Sequence, residues 1–334
     1  MRNGIHAAGN FLLDQIKIID HFPEEGMLVN IEEDFLSTGG GPFNVLLNLA
    51  KLKVDIPLYA TAVLGNDTRA EYILNRLNEE GVDTSSIILT SKLPTSYTDV
   101  YTAKGTGQRT FFHNSGSNVL LGPEQFENLN SNARIFHLAY ILILESLCRE
   151  DSEFIVAGAR VLSLLQKKGY KTSVDLISEE SDRYQKIVIP CLPYTNYFIV
   201  NEIEASGTSG ISIRDTDNNI NKDKLIEAAG LLFEYGVNDI VTIHYPEGGF
   251  AANKSGEKYF LSSYPVDETD IKGTNGAGDS FCAGMLYGIH EELPLDKCLK
   301  IAAANARFNL TSPTCTEGIV PIEELERFIR NNTL

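Results

Sequence analysis

No run of about 18 apolar residues occurs in the 334-residue sequence, so no segment has the length and composition of a membrane-spanning helix. The first residues, Met1-Arg2-Asn3-Gly4-Ile5-His6-Ala7-Ala8, lack the long apolar stretch and small-residue cleavage site of a secretory signal. They read as an immediate first strand, and a cytoplasmic location is expected. Basic residues are in short supply: Lys and Arg number 28 against 45 Asp and Glu, a formal net charge of −17. A nucleic-acid surface needs a basic face, so that partner class is excluded, as is a polybasic membrane anchor. Any anion site must then come from backbone N–H groups, a metal or a few local cations. The five cysteines, Cys148, Cys191, Cys282, Cys298 and Cys315, include no CxxC pair. They read as buried free thiols. No Pro/Ser linker, low-complexity tract or fixed-period repeat divides the chain, which predicts one domain over 1–334.

What does recur is a strand followed by a helix. Arg134 to Leu144 is a continuous apolar run, and Glu153 to Gln166 has helical spacing with Gly169 as its stop signal. Lys171 to Ile177, Tyr197 to Val200 and Asp239 to His244 read as strands, with an amphipathic helix from Lys224 to Tyr235 closed by Gly236. Such alternation predicts an α/β fold with a parallel sheet covered on both faces. The segments 15–38 and 94–113 differ: they are polar, alternating and turn-rich. They predict a small β-sheet beside the main one, placed as a lid, with Phe111 and Phe112 in its core. In open parallel sheets ligands sit at the carboxyl ends of the strands, so chemistry is sought there first.

The segment Gly273-Thr274-Asn275-Gly276-Ala277-Gly278-Asp279-Ser280-Phe281 precedes a helix whose apolar residues, Phe281, Met285 and Ile289, recur every four positions. Gly276, Ala277 and Gly278 therefore fall at a helix N-terminus, where bare N–H groups and the helix dipole favour an anion. That suits a transferring phosphoryl group, whose charge is spread over its oxygens. Asp279, in the first turn, can take a proton from an attacking hydroxyl. The plain alternative is a glycine turn followed by a capping Asp. Near the other end, Gly39-Gly40-Gly41-Pro42-Phe43-Asn44 opens a second helix, with Pro42 at its first position and Val45, Leu46, Leu49 and Leu52 on its apolar face. Three glycines let a ligand approach backbone closely. Asn44 both donates and accepts, which suits a sugar hydroxyl.

These two segments together resemble the signatures of the ribokinase-like (PfkB-type) carbohydrate kinases. The first signature is a Gly-Gly loop opening a helix, matched by Gly39 to Leu52. The second is an Asp-Thr-X-Gly-Ala-Gly-Asp loop, matched by Thr274 to Phe281. The resemblance runs from Gly9 to Pro321 and implies an ATP-dependent kinase that phosphorylates a hydroxyl of a small sugar or sugar-like substrate, with Mg²⁺ accompanying ATP. It implies Asp279 as general base and Gly276, Ala277 and Gly278 as anion hole. It puts the acceptor against Asp14, Gly39, Gly40 and Asn44, with Asn118, Glu145 and Arg109 as further substrate-side positions. Gly65 and Asp67 fit the family's Gly-X-Asp turn. Asn201-Glu202-Ile203-Glu204 fits its Asn-X-X-Glu element, which makes Asn201 a phosphate-side residue and Glu204 a Mg²⁺ ligand through water. Thr242, Gly248 and Asn305 fall at nucleotide-side positions. Lid sheets of the family often pair, so a homodimer is expected.

Three departures qualify the match. Gly273 stands where many relatives have a K⁺-binding Asp, so weak or absent K⁺ activation is expected. Asn275 stands where sugar kinases often have Thr and nucleoside kinases often have Asn, which keeps a nucleoside kinase as the second reading. His244 replaces a usual Gly and reads as a packed or exposed spacer at a strand end rather than a ligand. Asp175 reads as reaching the cleft or, in the favoured reading, capping the turn after its strand, and Arg109 as either a ligand contact or an edge-strand charge that blocks aggregation. A non-catalytic sugar sensor would need neither Asp279 nor an intact glycine loop. A dinucleotide-binding oxidoreductase is disfavoured because no GxGxxG follows the first strand.

Overall fold

The computed structural model describes residues 2–332. Its central sheet has eight strands, in the spatial order Lys258–Ser262, Gly248–Asn253, Ile240–Tyr245, Tyr197–Asn201, Lys171–Val174, Ile135–Ala139, Ile5–Gly9 and Leu58–Thr61. The first two join by antiparallel pairing and the rest run parallel. Alternate residues feed two different cores, as a pleat requires. Ile5, Ala7, Ile135 and Ile199 pack on one face with the helices Gly41–Lys51 and Ala277–His290. Ala8, Phe136, Leu138, Phe198 and Val200 pack on the other, with Ala157–Lys167 and Lys222–Glu234.

The expected elements are present with shifted ends. The apolar run from Arg134 stays extended only over Ile135–Ala139, because Tyr140 turns into the left-handed region at φ 59° and a 3₁₀ turn follows. The helix expected from Glu153 begins at Ala157, since Ile155 takes φ 71° and pairs with Asp151 across a two-stranded ladder. Asp67 caps Thr68–Glu79, accepting from the Ala70 N–H at 3.0 Å and from the Thr95 N–H at 2.8 Å.

A second sheet of four strands, ordered Ile31–Gly39, Leu12–Ile19, Tyr97–Ala103 and Arg109–Asn114, stands beside the main one. It covers the segments expected to form the lid. Phe111 and Phe112 are not in a core there. They are 58% and 59% exposed, on the edge strand of that sheet, where Phe112 meets only the edge of Tyr101 among the aromatic contacts of the described residues.

In the main sheet, Ile5–Gly9 has Leu58–Thr61 on one side and Ile135–Ala139 on the other. The chain thus leaves the first strand in opposite directions, a switch point that opens a crevice at the strand ends. Asn10, Tyr140 and Asp175 each follow a strand's last residue, and Asn201 and His244 lie at or next to strand ends. The functional groups gather there.

Candidate active site

Gly276 has φ 75°, which a side chain would strain, and a Cβ there would lie 2.7 Å from the Cβ of Cys315. The helix Ala277–His290 starts directly after it with no side-chain cap, and its Ala277 N–H reaches back to the Thr274 carbonyl at 3.4 Å. Phe281, Met285 and Ile289 are buried and anchor the helix, each side chain contributing roughly 1.5–3 kcal/mol by burial. Gly276, Ala277 and Gly278 thus make a fixed cradle of small residues at a helix N-terminus, where the dipole favours an anion. Gly40, at φ 88°, plays the matching part for Gly41–Lys51: a Cβ there would collide with the carbonyl of Asn10.

Asp279 is buried in the first turn of its helix. Its Oδ2 accepts a hydrogen bond from Asn44 Nδ2 at 2.8 Å, and its Oδ1 accepts one from the Tyr140 hydroxyl at 2.7 Å. Asn44 is occupied at both ends, since its Oδ1 accepts from the Thr38 hydroxyl at 2.8 Å. Burial first, and the nearby Asp175 second, push the Asp279 pKa up to about 7, while the Asn44 and Tyr140 bonds oppose the rise. A carboxylate near neutrality suits proton abstraction from a hydroxyl.

Asp175 does not simply cap a turn. Its Oδ1 accepts from the Tyr140 N–H at 3.2 Å, its Oδ2 lies 3.5 Å from His137 Nε2, and it lines the cavity next to Asp279. Asn201 and Glu204 form a capping box on the helix Glu202–Ser209. Glu204 Oε2 accepts from the Asn201 N–H at 3.0 Å, and its Oε1 from Ser178 Oγ at 3.0 Å. Burial raises the Glu204 pKa to about 7. Asn201 Nδ2 also donates to Oε1 at 2.9 Å, so the free lone pair is on Oε2, a hard oxygen donor that fits a Mg²⁺ ion keeping its waters.

Two cavities flank the anion cradle. A small one of about 70 Å³ touches Tyr140, Asp175, Glu204, Gly278 and Asp279. A larger one of about 570 Å³ is bounded by Tyr245, Gly248, Tyr264, Ala303, Arg307 and Leu310. Asn201, His244 and Gly278 border both. Its volume and largely apolar wall suit a purine nucleoside moiety.

On the other side, Asp14 faces Gly39 closely enough that a Cβ there would come 3.0 Å from its carboxyl. Burial raises the Asp14 pKa to about 7, with Thr98 and Arg109 opposing. Arg109 reaches from the small sheet to the glycine loop and donates to Asn275 Oδ1 at 2.6 Å. Asn118 is buried and donates to the Phe11 carbonyl at 3.1 Å, and its own Oδ1 has no partner among the described residues.

Three expected positions lie elsewhere. Glu145 is an exposed helix-start carboxylate, 3.7 Å from Arg149, and borders neither cavity. Thr242 is wholly buried within its strand, since the strand runs on to Tyr245. His244, not Thr242, meets the cavities. Its ring packs 4.9 Å from that of Phe281, and burial lowers its pKa to about 4. Asn305 is enclosed beneath the loop helix and donates to the Ser280 carbonyl at 2.7 Å, so it ties two helices together. Tyr140 and His137 escaped the sequence reading. The signal for Tyr140 was its place just past a strand end, hidden while the apolar run read as unbroken to Leu144.

The profile of the pfkB family carbohydrate kinases matches residues 8–322. The chain belongs to that family. It is a sugar kinase, moving the terminal phosphate of ATP onto a hydroxyl of its substrate. A 5-dehydro-2-deoxygluconokinase of Geobacillus thermodenitrificans (strain NG80-2) is 22% identical over 310 residues, covering 88% of this chain and 84% of that protein. The Arabidopsis thaliana ribokinase complexed with ribose and ATP superposes with a TM-score of 0.80 at 20% identity, covering 99% of each chain. A nucleoside kinase of Methanocaldococcus jannaschii superposes at 0.76 with 19% identity, again over 99% of each chain. The ribokinase fold thus accommodates both acceptor classes and does not choose between them. None of this pfkB kinase's helices, among the described residues, is long and apolar enough to cross a membrane.

Proposed function

We propose that this kinase phosphorylates a hydroxyl of a small sugar or sugar-like acceptor with Asp279 as general base. The observation that carries the reading is Asp279 itself: a buried carboxylate, near-neutral in pKa, oriented by Asn44 and Tyr140 at the head of the Gly276–Gly278 cradle. Each carboxylate oxygen has a second lone pair, so an acceptor hydroxyl can donate to Asp279 without displacing either partner. The hydroxyl oxygen attacks the γ-phosphorus in line, and the cradle N–H groups hold the developing charge. Asp14, Gly39 and Gly40 bind the acceptor, with Asn118 offering an open acceptor oxygen and Arg109 closing the small sheet over the site as a lid. Thr38, next to the last residue of its lid strand, reaches Asp279 through Asn44, so lid position and base orientation are linked. The adenosine part of ATP occupies the 570 Å³ cavity beside Gly248 and His244. Mg²⁺ would be held through water by Glu204, with Asn201 beside it, and would offset phosphate charge. The whole of 1–334 acts as one kinase unit.

Asn275 no longer favours a nucleoside acceptor, because its side-chain oxygen is taken by Arg109 and serves the lid contact. An ADP-release assay over ribose, fructose, 2-keto-3-deoxygluconate, 5-dehydro-2-deoxygluconate, inositol and adenosine tests the reading. Turnover with adenosine and none of the others would overturn it. Five unpaired cysteines support a cytoplasmic location.

Gly273 supplies no carboxylate for a monovalent cation, and a Cβ there would lie 3.1 Å from the Ser312 carbonyl. At constant ionic strength, exchanging Na⁺ for K⁺ should change kcat less than about threefold, or ~0.7 kcal/mol. A tenfold rise would show that another carboxylate, such as Asp270 just upstream, has taken over. Dimerisation through the lid rests on its uncovered apolar residues, with Leu36 43% and Phe112 59% exposed. Light scattering should give twice the 36.8 kDa chain mass, falling to one chain for Phe112→Asp. A wild-type monomer at micromolar concentration would refute it.

A further inference from the structure

Tyr140 is held in place by more than its neighbours in sequence require. It takes a left-handed backbone conformation, φ 59° and ψ 43°, that a bulky residue rarely adopts and that the surroundings must enforce. Two bonds from its own N–H enforce it, to the Asp175 carbonyl at 3.3 Å and to Asp175 Oδ1 at 3.2 Å. The turn sends the ring across the start of Gly41–Lys51, where a Cβ on Gly41 would come 2.8 Å from its edge. There the hydroxyl meets Asp279 Oδ1 at 2.7 Å. The ring also walls the 70 Å³ cavity beside the anion cradle.

We propose that Tyr140 is a positioning residue for phosphoryl transfer: by donating to Oδ1 its hydroxyl fixes the rotamer of Asp279, so that the carboxylate's other lone pairs face the acceptor. The inference rests on the reading of Asp279 as the base. Burial and the surrounding carboxylates raise the phenol pKa well above its usual value, so Tyr140 stays protonated and always donates. A donor to the ionised form lowers a carboxyl pKa, and its loss raises it. The other titratable groups around Asp279 are Asp175, which raises its pKa, and His137, which lowers it. The thiols of Cys282 and Cys315 also feel its charge, and burial pushes both up, Cys315 to about 12. Glu204 acts on Tyr140 from across the cavity, and His244 borders Gly278 in neutral form. None of these groups is altered by a change confined to the phenol oxygen.

The test is the pH profile of kcat at saturating MgATP and acceptor for wild type and Tyr140→Phe. Activity needs ionised Asp279, so its acid limb lies where that group titrates. Without the hydroxyl the limb should move up by about one pH unit, which lowers kcat about tenfold at pH 6 and less than about twofold at pH 9. KM for MgATP should stay within about twofold, because the hydroxyl touches no nucleotide-side group. Site-specific 3-fluorotyrosine at 140 keeps the ring and makes a stronger donor, so its limb should move down; this arm decides the matter if Tyr140→Phe fails to fold. A uniform loss of kcat with an unmoved limb in the Phe variant, or an unmoved limb in the fluorotyrosine protein, would show that Tyr140 only packs. The two readings part cleanly. A nearly active Asp279→Asn enzyme sinks the base assignment, whereas an inactive one combined with an unmoved Tyr140 limb sinks only the inference about Tyr140.

Discussion

Asp279→Asn is expected to lower kcat by about 10²–10⁴-fold, the usual cost of losing a general base. The fold and the binding of both substrates should survive. Asn has nearly the same shape, and the Tyr140 hydroxyl can turn to accept from the new amide instead of donating. Asn44 can still donate to the remaining oxygen. What is lost is the capacity to take a proton from the acceptor hydroxyl. Wild-type kcat should fall about tenfold per pH unit below pH 7, because the Asp279 pKa is raised to about 7 and the protonated acid is idle. The variant's residual rate should lack that limb. Steady-state kinetics with the true acceptor, and melting curves for the fold, check both points. Retention of more than half the wild-type kcat would remove Asp279 from the mechanism.

Asp14→Ala should raise KM for the acceptor by roughly 10–150-fold, the value of about 1.5–3 kcal/mol for a hydrogen bond to a charged group. KM for ATP should hardly move, since Asp14 sits beside Gly39 and away from the nucleotide cavity. The pH dependence has a definite sign. Burial raises the Asp14 pKa to about 7, so its charged form is gained only as pH rises through that value. Acceptor KM in the wild type should therefore fall with rising pH across neutrality, and in the variant this trend should vanish. Initial-rate measurements with each substrate varied in turn decide it. Equal increases in both KM values would contradict the placement of Asp14 on the acceptor side.

The two glycine segments were legible because their signal is local. Gly40 and Gly276 need positive φ, Pro42 fits the first turn of a helix, and apolar residues spaced by three or four define the face behind them. The parallel sheet was legible from its strand–helix alternation, and the small sheet from its polar alternation. Strand ends were less so: Tyr140 looks like one more apolar residue in a run, and its N–H bonds to Asp175, with the Ile143 N–H on its carbonyl, make it a turn. Thr242 and Asn305 were expected at the nucleotide from their positions in a pattern. Whether such a side chain faces a cavity depends on how far its strand or helix continues, which neighbouring elements decide.

Composition and local pattern by themselves determined that this is an acidic α/β protein with two glycine-opened helices and a carboxylate at the head of the second. Tertiary structure alone decided what surrounds that carboxylate. Asn44 is 235 residues from Asp279, Tyr140 is 139 residues away, and Arg109 meets Asn275 across 166. Propensity and periodicity act over a few residues, so they cannot register such pairs. Parallel strands bring their carboxyl ends to one edge whatever lies between them in sequence, and it is that convergence which places a phenol, an amide and three buried carboxylates around one small cavity.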